Sequence, residues 1–323
     1  LNVEQEGEKR VVEKLARGLT SARSVKVKAG EDDCASTSLA GKQLVQTTDI
    51  MLRKTHFPKK MSYEQIGMKI AAANLSDLAA MGAEPLTLLI AFGVPPTLEQ
   101  NQLKRIMSGV SKTCKEHSCS YVGGDTKKAR ELTLCGSATG VVNSEKELLK
   151  RTNAKPGDIV CLTGSVGNAA CGLLILIENP RIATKLKNKL LPAFTHPKAR
   201  TREARKLAQM KARIAAMDIT DGVFYTCSEI ARASGVGMDL ESGKLPLSKE
   251  LLEFAEKTGK PLMKLLSYGE DYELVVTVPE KKLKAAAKKT RLYPIGRVSK
   301  KKGVRLDGKT LSARGYDAFK SRA

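Results

Sequence analysis

Residues 72–83 read Ala72-Ala73-Asn74-Leu75-Ser76-Asp77-Leu78-Ala79-Ala80-Met81-Gly82-Ala83. Small and apolar side chains fill nearly every position, as expected of a helix packed on more than one side. Asp77 interrupts the pattern. A carboxylate on or beside a packed face needs a partner or a cation. Asn74, three residues earlier, shares its face. Upstream, Ser62 and Gln65 have capping-box spacing, so the helix is expected to open there and run to about Met81, with Gly82 as its stop.

The segments around this helix alternate in type. Residues 86–93 read as a buried strand, and Thr97 with Gln100 opens a second helix carrying Leu103, Met107, Val110 and Cys114 on one face. Toward the N-terminus, 8–19 reads as an amphipathic helix, 30–35 as an acidic loop and 42–48 as a strand ending in Asp49. Residues 132–142 form another strand. The turn Ala154-Lys155-Pro156-Gly157-Asp158 is the candidate domain boundary. Beyond it come a strand at 158–163, a helix at 166–178, a basic helix at 198–213 and a sharp acidic turn at 218–222. That turn leads into a helix ending at Ser234 and Gly235, and strands follow at 272–278 and 295–298. Strands and helices mix in both halves, which predicts an α+β chain of two domains, 1–150 and 151–323.

Composition narrows the function classes. The 323 residues hold 56 Lys and Arg against 34 Asp and Glu, a net charge of +22. With 41% hydrophobic and 28% charged residues, wholesale disorder is excluded. No apolar run approaches the ~18 residues of a membrane span, and the charged, polar start gives no expectation of a secretory leader. The charge invites a nucleic-acid reading. Against it, aromatic residues are 4% with no Trp, and no binding motif is recognisable. The excess is also local: residues 181–215 hold eleven Lys/Arg and one acid, residues 281–323 fifteen and two, and the remainder is near neutral. These segments read as solvated faces or as an attraction for phosphorylated ligands or a polyanion. The seven cysteines lack CxxC spacing and read as free thiols in a reducing cytoplasm, and three scattered His make no zinc motif.

Residues 303–310, Gly-Val-Arg-Leu-Asp-Gly-Lys-Thr, match the P-loop pattern. A P-loop needs a helix directly after it. Asp307-Gly308 between two short apolar runs reads instead as a hairpin turn.

Isolated aspartates are more informative. Asp32 and Asp33 stand in Gly-Glu-Asp-Asp-Cys-Ala, Asp49 in Thr-Thr-Asp, Asp77 in Asn-Leu-Ser-Asp-Leu, Asp125 in Gly-Gly-Asp-Thr, and Asp218 and Asp221 in Asp-Ile-Thr-Asp-Gly. Each has an ordinary explanation: a strand end, a Lys partner, a cap or a turn. Together, carboxylates with Thr hydroxyls and few His suit a hard cation such as Mg²⁺.

At these residues the chain resembles thiamine-monophosphate kinases, within the superfamily of aminoimidazole-ribonucleotide synthetase-like ATP enzymes. The resemblance runs from about 7 to 319. It rests on Glu31-Asp32-Asp33-Cys34, Thr47-Thr48-Asp49 with His56-Phe57, the 72–83 stretch, Gly123-Gly124-Asp125-Thr126, and Arg151 before 154–158. It continues with Gly269-Glu270-Asp271-Tyr272-Glu273-Leu274 and with Gly315-Tyr316-Asp317 and Phe319. Departures are Glu31 for Gly, Ile219-Thr220 for Leu-Ser, Tyr268 for Gly and Lys127-Lys128 for Thr-Arg.

The resemblance implies an α+β, two-domain aminoimidazole-ribonucleotide synthetase-like fold, each domain a mixed sheet packed with helices. It implies transfer of the γ-phosphate of ATP to thiamine monophosphate with several Mg²⁺ ions, in a cytoplasmic homodimer joined through its N-terminal domains. By matching position, Asp33, Thr47, Thr48, Asp49, Asp77, Asp125, Asp218 and Asp221 would bind metal. Gly124, Asp125, Arg151 and Thr220 would contact ATP, and His56, Glu270 and Tyr316 the thiamine substrate. No general base is expected, because a phosphate acceptor with a second pKa of ~6 is mostly ionised at neutral pH. The alternatives are a related ATP enzyme with another phosphate or carbonyl acceptor and, less favoured, a basic nucleic-acid binder. A selenophosphate-synthetase-like relative would want a reactive Cys in an N-terminal glycine-rich loop, and a hydrogenase-maturation relative a C-terminal Cys.

Overall fold

The computed structural model describes residues 8–17 and 19–312. Ser62 starts the central helix as its spacing predicts: its Oγ accepts from the Gln65 amide at 3.2 Å, and Gln65 Oε1 accepts from the Ser62 amide at 2.9 Å. The first half runs α1 (Glu8–Arg17), β1 (Val25–Val27), β2 (Ala35–Leu39), β3 (Lys42–Leu52), α2 (Arg53–His56), α3 (Tyr63–Ala80), β4 (Glu84–Val94), α4 (Gln100–Glu116), β5 (Ser120–Tyr121), β6 (Thr126–Lys128) and β7 (Thr133–Val142). The second runs β8 (Ile159–Leu162), α5 (Asn168–Glu178), α6 (Thr184–Thr195), α7 (Thr201–Ala208), β9 (Ala215–Asp218), α8 (Val223–Ser234) and β10 (Gly237–Leu240). It ends with α9 (Lys249–Thr258), α10 (Leu262–Leu266), β11 (Leu274–Val278), α11 (Glu280–Lys289), β12 (Tyr293–Ser299), β13 (Gly303–Leu306) and β14 (Lys309–Thr310).

Each half builds one mixed sheet packed with helices, the α+β architecture expected. The first sheet has the order β1-β2-β3-β7-β4-β5, with β6 also against β4, and only β5 and β6 pair in parallel with β4. The second has the order β14-β13-β10-β12-β8-β11-β9, with β10 and β13 parallel. Helix α3 belongs to both halves. Its Ile66, Ile70, Leu75 and Leu78 enter the core of the first sheet. Its Ala79 and Ala80 pack in a second-half cluster with Leu207 of α7, Ala216 of β9 and Val276 of β11. The partner helix α4 crosses α3 so closely that a Cβ on Gly67 would lie 2.0 Å from Ile106 O, and one on Gly109 2.0 Å from Glu64 O. Three neighbours on three sides explain why α3 shows no polar face.

Several local expectations shift. β3 continues three residues past Asp49, so that side chain projects from inside a strand. α4 opens two residues later than Thr97 implied, with Glu99 and Gln102 as the capping box. Thr97 lies in a turn closed by the Leu98 amide on Pro95 O. Met107 is 41% exposed, and Ile106 takes its place on the buried face. β4 is buried on alternate residues only, leaving Leu86 and Leu89 more than 40% exposed. The basic helix is the eight-residue α7, cut off where Lys211 adopts φ 48°. The hairpin reading of 303–310 holds: Asp307 and Gly308 have φ 49° and 78°, and Leu306 pairs antiparallel with Lys309.

Candidate active site

The carboxylates converge where the two sheets meet along α3. Asp33 comes from the β1–β2 loop, Asp77 from α3 and Asp218 from the end of β9. One carboxylate oxygen from each lies within 4.8 Å of the other two. Thr47 on β3 donates to Asp77 Oδ2 at 2.6 Å, and Ser76 donates to Asp218 Oδ2 at 2.5 Å. Asp49, two residues along the same face of β3, joins the cluster electrostatically. Withdrawal from water raises its carboxyl to about 6, and the Asp218 charge adds to the effect. Asp218 is also raised to about 6 by burial, and Asp33 and Asp77 go well above the ordinary range: Asp77 by burial and then by neighbouring carboxylates, Asp33 by burial, which outweighs the opposing Arg151 charge. All four prefer to lose negative charge unless a cation stands among them.

Arg151 neutralises one side. Its amide donates to Asp32 Oδ2 at 2.9 Å, Nε to Asp32 Oδ1 at 3.1 Å and Nη2 to Asp33 Oδ1 at 2.6 Å. Ser234 Oγ donates to the Arg151 carbonyl, so α8 anchors the backbone as well. The second oxygen of Asp33 is buried with no hydrogen-bond partner. Glu31, where the resemblance has Gly, accepts from the Lys28 amide at 2.9 Å and closes the loop on itself.

The other sequence-derived residues divide. The 218–222 turn is stitched to the 269–273 loop: Thr220 O accepts from the Glu270 amide and Ile219 O from the Tyr272 amide. This brings Thr220, Asp221 and Glu270 to one rim, and Thr220 Oγ1 donates to Asp221 Oδ2 at 3.3 Å. Asp221 lines a cavity of ≈ 190 Å³ with Phe224, Tyr225, Met263 and Ser267. His56 is the last residue of α2, its Nδ1 accepting from the Leu52 amide at 3.1 Å. Gly124 runs against β4 so tightly that a Cβ would sit 1.7 Å from Ile90 O. Two residues are not brought to the cluster. The pleat turns Thr48 to the opposite sheet face from Thr47, where its hydroxyl donates to Gly136 O at 2.7 Å. Asp125 accepts from the Thr126 amide with its side chain 68% exposed. Tyr316 lies outside the described residues.

Two residues went unread in the sequence. Ser76 fixes Asp218. Lys69, fully buried, pairs with Glu270 at 2.8 Å. The signal was present: Lys69, Ser76 and Asp77 are seven and eight residues apart, two helical turns along one face of an apolar helix.

Residues 31–142 match the family model for AIR synthase related protein, N-terminal domain, and 155–309 the one for AIR synthase related protein, C-terminal domain. The chain is 35% identical over 273 residues to the thiamine-monophosphate kinase of Pyrococcus horikoshii, covering 84% of each protein. It is 32% identical over 289 residues to the thiamine-monophosphate kinase of Aquifex aeolicus, covering 89% of this chain and 92% of that one. Among solved structures, AaThiL complexed with AMPPCP and TMP matches with a TM-score of 0.88 and 29% identity, over 98% of this chain and 99% of the other.

Proposed function

The chain belongs to the AIR synthase related family and within it to the thiamine-monophosphate kinases, and we propose that it transfers the γ-phosphate of ATP to thiamine monophosphate, giving thiamine diphosphate and ADP. The observation that carries this reading is the end-to-end match to a protein solved with AMPPCP and TMP, in a chain whose aspartates meet at the seam of its two halves.

The donor set fits Mg²⁺. It is all oxygen, its carboxyls are raised chiefly by burial, with neighbouring carboxylates adding to this at Asp33 and Asp77, and Asp33 keeps a buried oxygen without a hydrogen bond. Asp33, Asp77 and Asp218 would hold the metal with Thr47 and Asp49 beside them, and Asp125 and Asp221 would extend the set toward the rim, whereas Thr48, on the opposite sheet face, stays out of it. Bound there, Mg²⁺ supplies charge neutralisation between two polyanions. The residues themselves position the reactants. Arg151, Gly124, Asp125 and Thr220 receive ATP, and His56 and Glu270 receive thiamine monophosphate. In-line alignment then suffices, because the acceptor oxygen is already ionised and needs no proton taken from it. We divide the chain between residues 150 and 151, with the metal and ATP residues mostly before that point.

A coupled assay with ATP, Mg²⁺ and thiamine monophosphate tests the reading, with thiamine diphosphate identified as product. No product, together with no calorimetric binding of thiamine monophosphate, would overturn it. Asp125→Ala should lower turnover at least ~100-fold with the melting temperature unchanged, because its carboxylate is solvated in the free protein and acts only on bound nucleotide. Wild-type turnover would remove Asp125 from the site.

The helix-free face of the first sheet supports a homodimer. Ile50, Leu86 and Leu89 lie there 58%, 42% and 43% exposed, an apolar patch that a second copy would cover. Ile50→Lys combined with Leu89→Glu should give a monomer by light scattering, whereas a wild-type variant mass would place the interface elsewhere. No helix among the described residues is long and apolar enough to cross a membrane. Seven cysteines without a disulfide suit a reducing cytoplasm.

A further inference from the structure

Lys69 is 0% exposed in the middle of α3. Burying an ammonium is unfavourable unless each of its protons finds a partner. Its Nζ donates to Glu270 Oε2 at 2.8 Å and to His56 O at 3.2 Å, and it lies 3.6 Å from the centroid of the Phe194 ring on α6. These partners come from three separate segments: α2 in the first half, and α6 and the 269–273 loop in the second.

The Glu270 loop cannot hold its own shape cheaply. Glu270 and Tyr272 adopt φ 58° and 51°, a left-handed conformation costly for residues with a Cβ. Gly269 before them has φ 84°, and a Cβ there would meet Thr220 O at 2.0 Å. The backbone is tied to the 218–222 turn, but Lys69 is the cation paired with the Glu270 carboxylate among the described residues. On the opposite side, the His56 carbonyl that Lys69 grips ends the short helix whose ring nitrogen is already taken by the Leu52 amide.

We propose that Lys69 is the positioning residue of the acceptor subsite: its buried ammonium clamps Glu270 and the His56 segment into one rigid unit across the two halves of the chain, so that thiamine monophosphate binding depends on it and ATP binding does not. The inference rests on the kinase reading above. It adds a residue that touches neither substrate and acts through two that do. The metal cluster lies seven and eight residues further along the same helix, at Ser76 and Asp77. One rigid helix thereby fixes the distance between the acceptor subsite and the metal site.

Steady-state kinetics on the full-length protein tests this. Lys69→Met keeps the volume and removes the charge. It should raise KM for thiamine monophosphate at least ~10-fold while KM for ATP stays within about 2-fold. Because the single change strands Glu270, Lys69→Met combined with Glu270→Gln is the folding control. The double variant should recover most of the wild-type melting temperature yet show a higher KM for thiamine monophosphate than Glu270→Gln alone, because the His56 segment is still released. A folded Lys69→Met variant with wild-type KM for thiamine monophosphate, or a double variant no worse than Glu270→Gln alone, overturns the proposal, as does an equal rise in both KM values. If wild-type protein binds no thiamine monophosphate by calorimetry, the kinase reading fails and takes this proposal with it. If wild-type protein turns over and the variants bind the acceptor normally, only the role of Lys69 fails.

Discussion

Asp77→Asn should stop phosphoryl transfer, by at least ~10³-fold, and raise the melting temperature of the metal-free protein by about 2–4 °C. The two effects have one cause. Asp77 sits among Asp33, Asp49 and Asp218, and its carboxyl is pushed up by burial first and by those three charges next. Asn keeps the shape and the acceptor for the Thr47 hydroxyl, which now stands 2.6 Å from Asp77 Oδ2. It removes one charge from a repelling set, a gain of about 1 kcal/mol in the absence of a divalent cation. The proposed metal site uses the same charge, so function should be lost where stability rises. Melting curves in chelator and the coupled kinase assay check both halves. Retained activity, or a lower melting temperature, would show that Asp77 has a structural partner instead.

The cluster also sets a pH dependence. Asp49 and Asp218 titrate near 6 in the folded protein against ~3.9 in an unfolded chain. Between those values the folded state holds protons that the unfolded state has released. Stability of the metal-free protein therefore falls as pH rises from about 4 to about 6. Asp218→Asn should flatten that slope. Wild-type melting temperatures that climb across the window would contradict it.

The second large effect is Arg151→Leu. The guanidinium spans Asp32 and Asp33, whose side chains are 2% and 7% exposed. Removing it leaves two nearly buried carboxylates without a cation, a loss of about 3–5 kcal/mol. The melting temperature should drop by roughly 10 °C, and KM for ATP should rise at least ~10-fold. Adding Asp32→Asn should restore part of the stability and none of the ATP affinity, because it removes one of the two stranded charges without returning the guanidinium. A melting temperature within about 2 °C of wild type would mean that the pair is solvated in solution and worth little.

Much of this was open to a reading of the chain. The capping box at Ser62 and Gln65, the stop at Gly82 and the Asp307-Gly308 hairpin rest on contacts between residues three or four apart, or on backbone conformations that glycine alone adopts freely. Strand ends were harder. β3 passes Asp49 because its length is set by pairing with β7, where Asp49 faces Gly136, and that partner lies far along the chain. Thr97 has capping-box spacing to Gln100, but a turn closed by the Leu98 amide on Pro95 O takes up that residue and the cap falls to Glu99.

What the sequence determined by itself is the α+β pattern, the anomalous Asp77 in an apolar helix and the set of aspartates from which a site could be assembled. These follow from local stereochemistry and from residue composition. Only the tertiary structure decided which members of the set meet. Ser76 reaches Asp218 across 142 residues, Arg151 reaches Asp32 across 119 and Lys69 reaches Glu270 across 201. It also decided that the Thr47 and Thr48 hydroxyls part to opposite faces. A strand's period of two is visible in sequence, but which face becomes the site is not, because helix α3 from one side and β9 from the other half of the chain must first close over it.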